Sequence, residues 1–309
     1  MSPCGMSIII PTYGRVDLLA RLIQSILQDT ARVKFATEIL LADDTPQPEG
    51  DSIQELAHQS GARVLYGESH VGGKRNYGAR EARYDFVLFL DSDVVIQPGT
   101  LQAHFDKLSN SCDARVAGCL GQVDFVGKPT FAWQVISEMQ LTLPFSYPQV
   151  ADTVPWGPTA NISFRKDIFL ECDGGFDTSM PKYGGEDVDL GLRLNNAGYV
   201  IVTAKAAIAE HTVETWNSWR QNFRRLWFFG LADYYLLIRH PDRAFLDFPT
   251  GPILWLLQLG CGVMLLLLHG LPMFAWVGGG LVLSILAYHL VYAVVKGQRA
   301  SRLSVHLLG

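Results

Sequence analysis

The chain has 309 residues, a formal net charge of -5 and hydrophobic residues at 49% of positions. That suffices for one large α/β domain plus a smaller part, and the mild acidity, with no concentrated basic surface, excludes a nucleic-acid binder. Five cysteines (Cys4, Cys112, Cys119, Cys172 and Cys261) form no CxxC pair, which argues against a zinc site and a disulfide framework, and their odd number fits a reducing compartment.

Residues 1–5 lack a basic stretch and a long apolar core, so no signal peptide is expected. Residues 7–10 are apolar and read as the first strand. Residues 16–28 carry Leu18, Leu19, Leu22, Ile23 and Ile26 at helical spacing. Strands are predicted at 38–42 and 63–66, with a helix at 52–59 between them. A helix at 73–82 then leads to Phe86–Leu90, a purely apolar run that reads as a buried strand. Such alternation predicts βαβ units, a mostly parallel sheet and right-handed crossovers. A helix is expected from Pro98 to Leu108 and a glycine-interrupted strand at 114–125. Residues 131–159, rich in Pro and aromatics, carry no clear periodicity. Residues 186–196 form a helix ended by Gly198, and 199–203 a strand.

Residues 216–238 have helical spacing, with Trp216, Trp219, Phe223 and Trp227 on one face. Asn217, Gln221, Arg224 and Arg225 lie largely on another, a pattern that suits a helix lying in a membrane interface. From 252 to 268 only Gln258 is clearly polar, and from 271 to 295 His289 is the only Asp, Glu, Lys, Arg or His. These runs approach or meet the roughly 20 residues that span a bilayer. Arg239 and Arg243 precede them and Lys296, Arg299 and Arg302 follow, so the positive-inside rule places both flanks in the cytoplasm. The expected organisation is a catalytic domain over 1–214, an amphipathic interfacial region over 215–247, and two transmembrane helices with a basic tail over 248–309.

Four strand-to-helix connections carry polar or glycine-rich groups: Pro11-Thr12-Tyr13-Gly14-Arg15, Asp43-Asp44-Thr45, Gly72-Gly73-Lys74-Arg75-Asn76 and Asp91-Ser92-Asp93. In an open α/β sheet all of them face one carboxyl edge, where ligands bind. Each alone suits a turn or cap. Together they suit a nucleotide diphosphate. Asp44 can accept the imide N–H of a uracil, and backbone at 11–13 can hold base and ribose. Lys74 or Arg75, with the amides that Gly72 and Gly73 expose, can meet the diphosphate. Asp93 with Asp91 can hold Mg2+ or Mn2+, hard cations that take carboxylates and phosphates together.

Gly184-Gly185-Glu186-Asp187-Val188-Asp189 puts acids at a helix start. The acids complement the helix dipole, and Asp187 or Glu186 can also take the proton of an acceptor hydroxyl. His211 is open as a further metal ligand or as a core histidine.

These residues carry a family resemblance. The segments SIIIPTYGR, LLADDT, GGKRNYGAREA, FVLFLDSDV, ANISFRKDIFLECDGGFD and GGEDVDLGLRLNNAGY resemble, in order, the family-2 inverting glycosyltransferases of the GT-A fold. GKRNYGARE with DFVLFLDSDVV is especially similar to the membrane-associated glycosyltransferases of the mycofactocin type. The resemblance implies a Rossmann-like GT-A domain, a nucleotide-sugar donor, Mg2+ or Mn2+, and inversion at the anomeric carbon. It implies uracil binding at Asp44 beside Asp43, metal binding at Asp93 with Asp91 and His211, and Asp187 as base. The donor-binding set expected is then Pro11, Thr12, Tyr13, Asp43, Asp44, Gly73, Lys74, Arg75, Asn76, Asp91 and Ser92. The acceptor is open among lipid-linked, glycan and peptide-derived hydroxyls. Two departures stand out. Thr45-Pro46 follows the paired acids where the family often has Gly-Ser, which puts the ribose contact in doubt. Processive members carry Gln-x-x-Arg-Trp, whereas here Gln221-Asn222-Phe223-Arg224-Arg225 ends in Arg. Addition of one sugar is therefore expected. A processive synthase or an inactive nucleotide-sugar-binding membrane protein are the alternatives.

Overall fold

The computed structural model describes residues 4–139, 141–180 and 184–243. The chain divides into two compact units, Met1–Pro241 and Asp242–Gly309, and the described residues belong to the first apart from Asp242 and Arg243. The apolar runs expected to form a membrane hairpin lie outside the described residues. Among the described residues no helix is long and apolar enough to cross a membrane.

The strands are β1 (Gly5–Thr12), β2 (Ala36–Asp43), β3 (Arg63–Tyr66), β4 (Phe86–Leu90), β5 (Val94–Ile96), β6 (Val116–Val126), β7 (Thr153–Val154), β8 (Asn161–Arg165) and β9 (Val200–Thr212). The helices are α1 (Val16–Thr30), α2 (Glu49–Ser60), α3 (Val71–Glu81), α4 (Thr100–Ser109), α5 (Phe131–Glu138), α6 (Tyr147–Val150), α7 (Lys166–Glu171), α8 (Glu186–Asn196) and α9 (Trp219–Arg239). The segment without clear periodicity resolves into α5, a 3-10 turn at Leu143–Ser146, α6 and β7. The last strand runs far past 203, to Thr212.

The nine strands form one sheet in the order β3-β2-β1-β4-β8-β6-β9-β5, with β7 paired to β9. It is mixed rather than mostly parallel. β1, β2, β3 and β4 pair in parallel, as do β6 and β9. β8 inserts antiparallel between β4 and β6, and β5 and β7 lie antiparallel to β9. The physical reason is the connections. Helical crossovers return the chain in the same direction and force parallel pairing. β8 is entered from the irregular 127–160 segment without such a crossover, and β5 follows β4 after a short turn.

Alternate side chains of each strand feed two cores. Ile8, Ile10, Leu88 and Leu90 pack with Leu19, Leu22, Ile23 and Ile26 of α1 and with Ile53, Leu101 and Leu108. Ile9, Val87 and Phe89 pack on the other face with Ala79 of α3, Phe169 of α7 and Leu190 and Leu194 of α8. The period of two along buried strands produces this three-layer arrangement. On α3, Gly78 is needed for close approach, since a Cβ there would meet Ile9 Cγ2 at 2.5 Å. That contact seats the first turn of α3, with Lys74 and Arg75, over the carboxyl edge of the sheet.

Buried polar groups tie the layers together. Asp29, at the end of α1, accepts from Gly99 N at 2.6 Å and Leu101 N at 2.9 Å, satisfying amides at the start of α4. His104 of α4 is fully buried between Asn161 Oδ1 and Ser163 Oγ, both at 2.9 Å. Burial pushes its imidazole down to about 4, against the opposing hydrogen bond to Asn161. The ring is neutral near pH 7 and serves as a core fastener rather than a catalyst.

Candidate active site

The carboxyl ends of β1, β2 and β4 open on a cleft of about 690 Å3. Pro11, Thr12, Tyr13, Asp44, Lys74, Arg75, Asp91, Ser92, Asp93, Glu186, Asp187 and His211 all line it. Most of the residues expected at the site thus converge. Asp43, Gly73 and Asn76 do not. Asp43 is buried, and Gly73 and Asn76 face a separate cavity of about 640 Å3. The Asn76 side chain is spent on the loop before α8, donating to Phe176 O and accepting from Phe176 N. The amides of Gly72 and Gly73, expected to be free for an anion, are capped by His70 Nδ1 at 3.1 and 3.4 Å.

Pairing register builds a cluster of metal-ligand type. Val94 of β5 lies opposite His211 of β9, which sets Asp93 beside that histidine. Oxygens of Asp91 and Asp93 and a ring nitrogen of His211 lie within 4.8 Å of one another. His211 Nδ1 is 3.0 Å from the carbonyl of Thr212, which can only accept, so in the neutral ring Nδ1 carries the proton. Nε2 then turns its lone pair to Asp93 Oδ1, 3.4 Å away. Two electron-rich atoms facing each other, with a second carboxylate beside them, suit a shared divalent cation. Phe125 stacks on His211 at 5.1 Å between centroids and Trp216 meets it edge-on at 6.3 Å, holding the imidazole plane.

The other acids carry assigned partners. Asp44 pairs with Lys74, whose Nζ also donates to Thr12 O at 2.5 Å. Asp43 is buried, and its Oδ1 accepts from Thr12 Oγ1 at 2.7 Å and Thr45 Oγ1 at 2.6 Å. Its Oδ2 has no hydrogen-bond partner among the described residues. Arg75 is buried and bridges Asp91 Oδ1 at 2.8 Å and Glu186 Oε1 at 2.9 Å. One guanidinium therefore ties the β4 acids to the start of α8. Lys74 and Arg75 are thus engaged with carboxylates rather than waiting for an anion.

Asp187 differs from its neighbour. Its Oδ1 accepts only from Val188 N, at 2.9 Å, and it makes no ion pair among the described residues. It is half-buried and opens on the cleft. Burial, and then the charge of Glu186, push its carboxyl up to about 7. The loop before it passes directly under α9. Gly184 and Gly185 have φ of 93° and 90°, and a Cβ on them would meet Phe229 at 2.8 Å and Ala232 at 2.6 Å. α9 is fastened at its far end as well. His240 Nε2 donates to Asp189 Oδ1 at 3.0 Å, and Arg239 pairs with Asp177 and donates to Ser179 Oγ at 2.8 Å. Asp189 is held by Arg193 Nε at 2.8 Å as well as by His240.

Over residues 7–170, more than half of the chain, the sequence matches the profile described as Glycosyl transferase family 2. The chain belongs to this family. A pre-mycofactocin glycosyltransferase from Mycobacterium tuberculosis is 28% identical over 311 residues, covering 96% of this chain and 57% of that protein. The O-antigen biosynthesis protein RfbC of Myxococcus xanthus is 27% identical over 225 residues, covering 67% and 17%. Chondroitin synthase of Escherichia coli is 25% identical over 244 residues, covering 67% and 34%. The chain thus spans little more than half of the first relative and less of the others. The solved structure of GalNAc-T7 with UDP, GalNAc and Mn2+ shares the fold, at a TM-score of 0.53 and 16% identity, covering 79% of this chain and 52% of that one. The described unit is a GT-A-like glycosyltransferase domain.

Three residues of this glycosyltransferase cleft lie outside the expected donor, metal and base sets. Arg15 Nη1 lies 3.0 Å from Asp93 Oδ2. Its signal was its place in the Pro-Thr-Tyr-Gly-Arg run. Trp216 does not share the exposed face of Trp219, Phe223 and Trp227. It closes a 3-10 turn at Val213–Trp216, is 5% exposed, and joins the aromatic cluster around His211. Arg225 does not point freely into solvent. Its guanidinium stacks 3.6 Å from the centre of the Trp216 ring and donates to Asn222 Oδ1 at 2.7 Å. Burial pushes its guanidinium down to about 10, partly offset by Asp93. Arg in place of the Trp of Gln-x-x-Arg-Trp was the signal here.

Proposed function

We propose that this family-2 glycosyltransferase moves one sugar, with inversion, from a nucleotide-diphospho-sugar to a hydroxyl acceptor. The observation that carries this reading is the pairing, in one cleft, of an acid without an ion pair among the described residues, Asp187, with the Asp91, Asp93 and His211 cluster. Asp187 takes the acceptor proton as the acceptor oxygen bonds to the anomeric carbon. The bond from that carbon to the diphosphate oxygen breaks at the same time, on the opposite face. A divalent cation, Mg2+ or Mn2+, held by Asp91, Asp93 and His211 would neutralise the diphosphate as it leaves. The GalNAc-T7 structure that shares the fold contains Mn2+.

Tyr13 and Thr12 line the base end of the cleft. Asp44, though paired with Lys74, is the acid of the Asp43-Asp44 pair that lines the cleft, so the uracil N–H falls to its carboxylate. A uridine diphosphate donor follows from that acceptor. Glu186 is occupied by Arg75, which leaves the base role to Asp187. Arg225 stands where processive members carry Trp, which favours single addition over polymer synthesis. Incubation with a panel of nucleotide sugars, with Mn2+, Mg2+ or EDTA, tests the reading. Release of a nucleoside diphosphate from a uridine donor, abolished by EDTA, is expected. No release from any donor with either metal would sink it.

The acceptor and site of action are read from α9. Trp219, Phe223, Trp227, Tyr234 and Ile238 are 46–70% exposed, while Asn222 and Ala232 are buried against the domain. Phe131, from α5, extends the patch by meeting Trp219 edge-on at 6.1 Å. An aromatic, amphipathic face of this kind suits a lipid surface, and the apolar runs at 252–268 and 271–295 follow it in sequence. We place the catalytic domain at the cytoplasmic face of a membrane, with a lipid-linked, glycan or peptide-derived acceptor. Because the apolar runs would anchor the chain by themselves, the patch is tested on residues 1–243, which span the described residues. Its sedimentation with anionic phospholipid vesicles is expected to fall when Phe223 and Trp227 are both replaced by Ser. Unchanged sedimentation would remove this face from membrane contact.

A further inference from the structure

Gly14 and Arg15 both occupy the left-handed region, at φ of 62° and 56°. Glycine adopts it freely, but arginine does so at a cost. Arg15 is also the N-cap residue of α1 and makes no side-chain cap, at a position that ordinarily takes Ser, Thr, Asp or Asn in extended backbone. Neighbours hold the turn in place. Gly14 N donates to Thr45 Oγ1 at 2.7 Å and Arg15 N to Glu49 Oε1 at 3.0 Å. Strain that is over-determined in this way gathers at functional sites.

The turn delivers the Arg15 guanidinium to Asp93 Oδ2, at 3.0 Å. The arginine side chain is 49% exposed, and ion pairs in that setting contribute little to stability. Stability therefore does not account for the strain. Orientation does. The two oxygens of Asp93 are divided between partners, Oδ2 to Arg15 and Oδ1 towards His211 Nε2.

We propose that Arg15 is a positioning residue of the metal site. It grips Asp93 from one side so that Oδ1 stays aimed at the position shared with Asp91 and His211. The left-handed backbone is kept for that grip. Partners behind a ligating carboxylate commonly tune metal affinity in this way. The inference rests on the divalent-cation reading above.

Mn2+ binding to the full chain, followed by the EPR signal of free Mn2+, separates the two. Wild-type chain that binds no Mn2+ removes the metal reading itself. Given wild-type binding, Arg15→Gly and Arg15→Asn suit the same backbone but lack the guanidinium. Both are expected to bind Mn2+ about tenfold more weakly, with a melting temperature unchanged or raised. Unchanged affinity overturns the proposal. So does tighter binding, the result if Arg15 competes with the cation, and so does a lowered melting temperature, which makes Arg15 a structural residue.

Discussion

Asp187→Asn is expected to lower nucleoside diphosphate release by about 10³-fold, within the range that a positioned general base supplies, while donor binding is nearly unchanged. The amide has the size of the carboxylate and cannot take a proton. The proposed donor contacts lie elsewhere in the cleft, along Pro11, Thr12, Tyr13 and the acids after β4, so a calorimetric titration with donor should look like wild type. The direction of the pH effect follows from the carboxyl being pushed up to about 7 by burial and by Glu186. Below that value Asp187 is protonated and cannot act as base; above it the carboxylate is present. Wild-type kcat/KM should therefore rise with pH through about 7 and level off above it. The residual rate of the variant should lack that rise. Turnover near wild type in Asp187→Asn would take the base role away from this residue.

Asp93→Ala is expected to cost about 10³-fold in the same assay, since a metal that neutralises a leaving diphosphate supplies several kcal/mol. It should also abolish the difference between Mn2+ and EDTA. Asp93 joins three groups at once. It faces His211 Nε2 at 3.4 Å, holds Arg15 at 3.0 Å, and its charge partly supports Arg225. Removing it leaves Asp91, already shared with Arg75, and a single imidazole. Two arginines then face the depleted site, which further disfavours a cation. Retained Mn2+ affinity in Asp93→Ala, read by EPR, would exclude Asp93 as a ligand.

Local pattern made much of this domain legible. Phe86–Leu90 reads as a buried strand because five apolar residues in a row fit little else of that length, and it is one. Leu18, Leu19, Leu22, Ile23 and Ile26 read as one helix face; the last four are buried against the sheet and Leu18 is half-buried. Pattern failed where the backbone departs from its period. Trp216 was counted on the same face as Trp219, but a 3-10 turn intervenes and turns its ring inward. The amides of Gly72 and Gly73 were read as free, but nothing in glycine spacing reveals that His70 caps them. The antiparallel entry of β8 was likewise invisible, because strand direction is set by the connection and not by the strand's own residues.

By itself, the sequence determined a GT-A-like α/β domain of glycosyl transferase family 2, with polar and glycine-rich groups at successive strand ends. Those features are written in contiguous residues, through period, glycine and paired acids. Only the tertiary structure decided what each charge does. Strand register brought His211 to Asp93, the bridge of Arg75 engaged Glu186 and left Asp187 without an ion pair among the described residues, and a left-handed turn brought Arg15 to Asp93. Each is a contact between distant segments, governed by packing and pairing energies that no local pattern encodes.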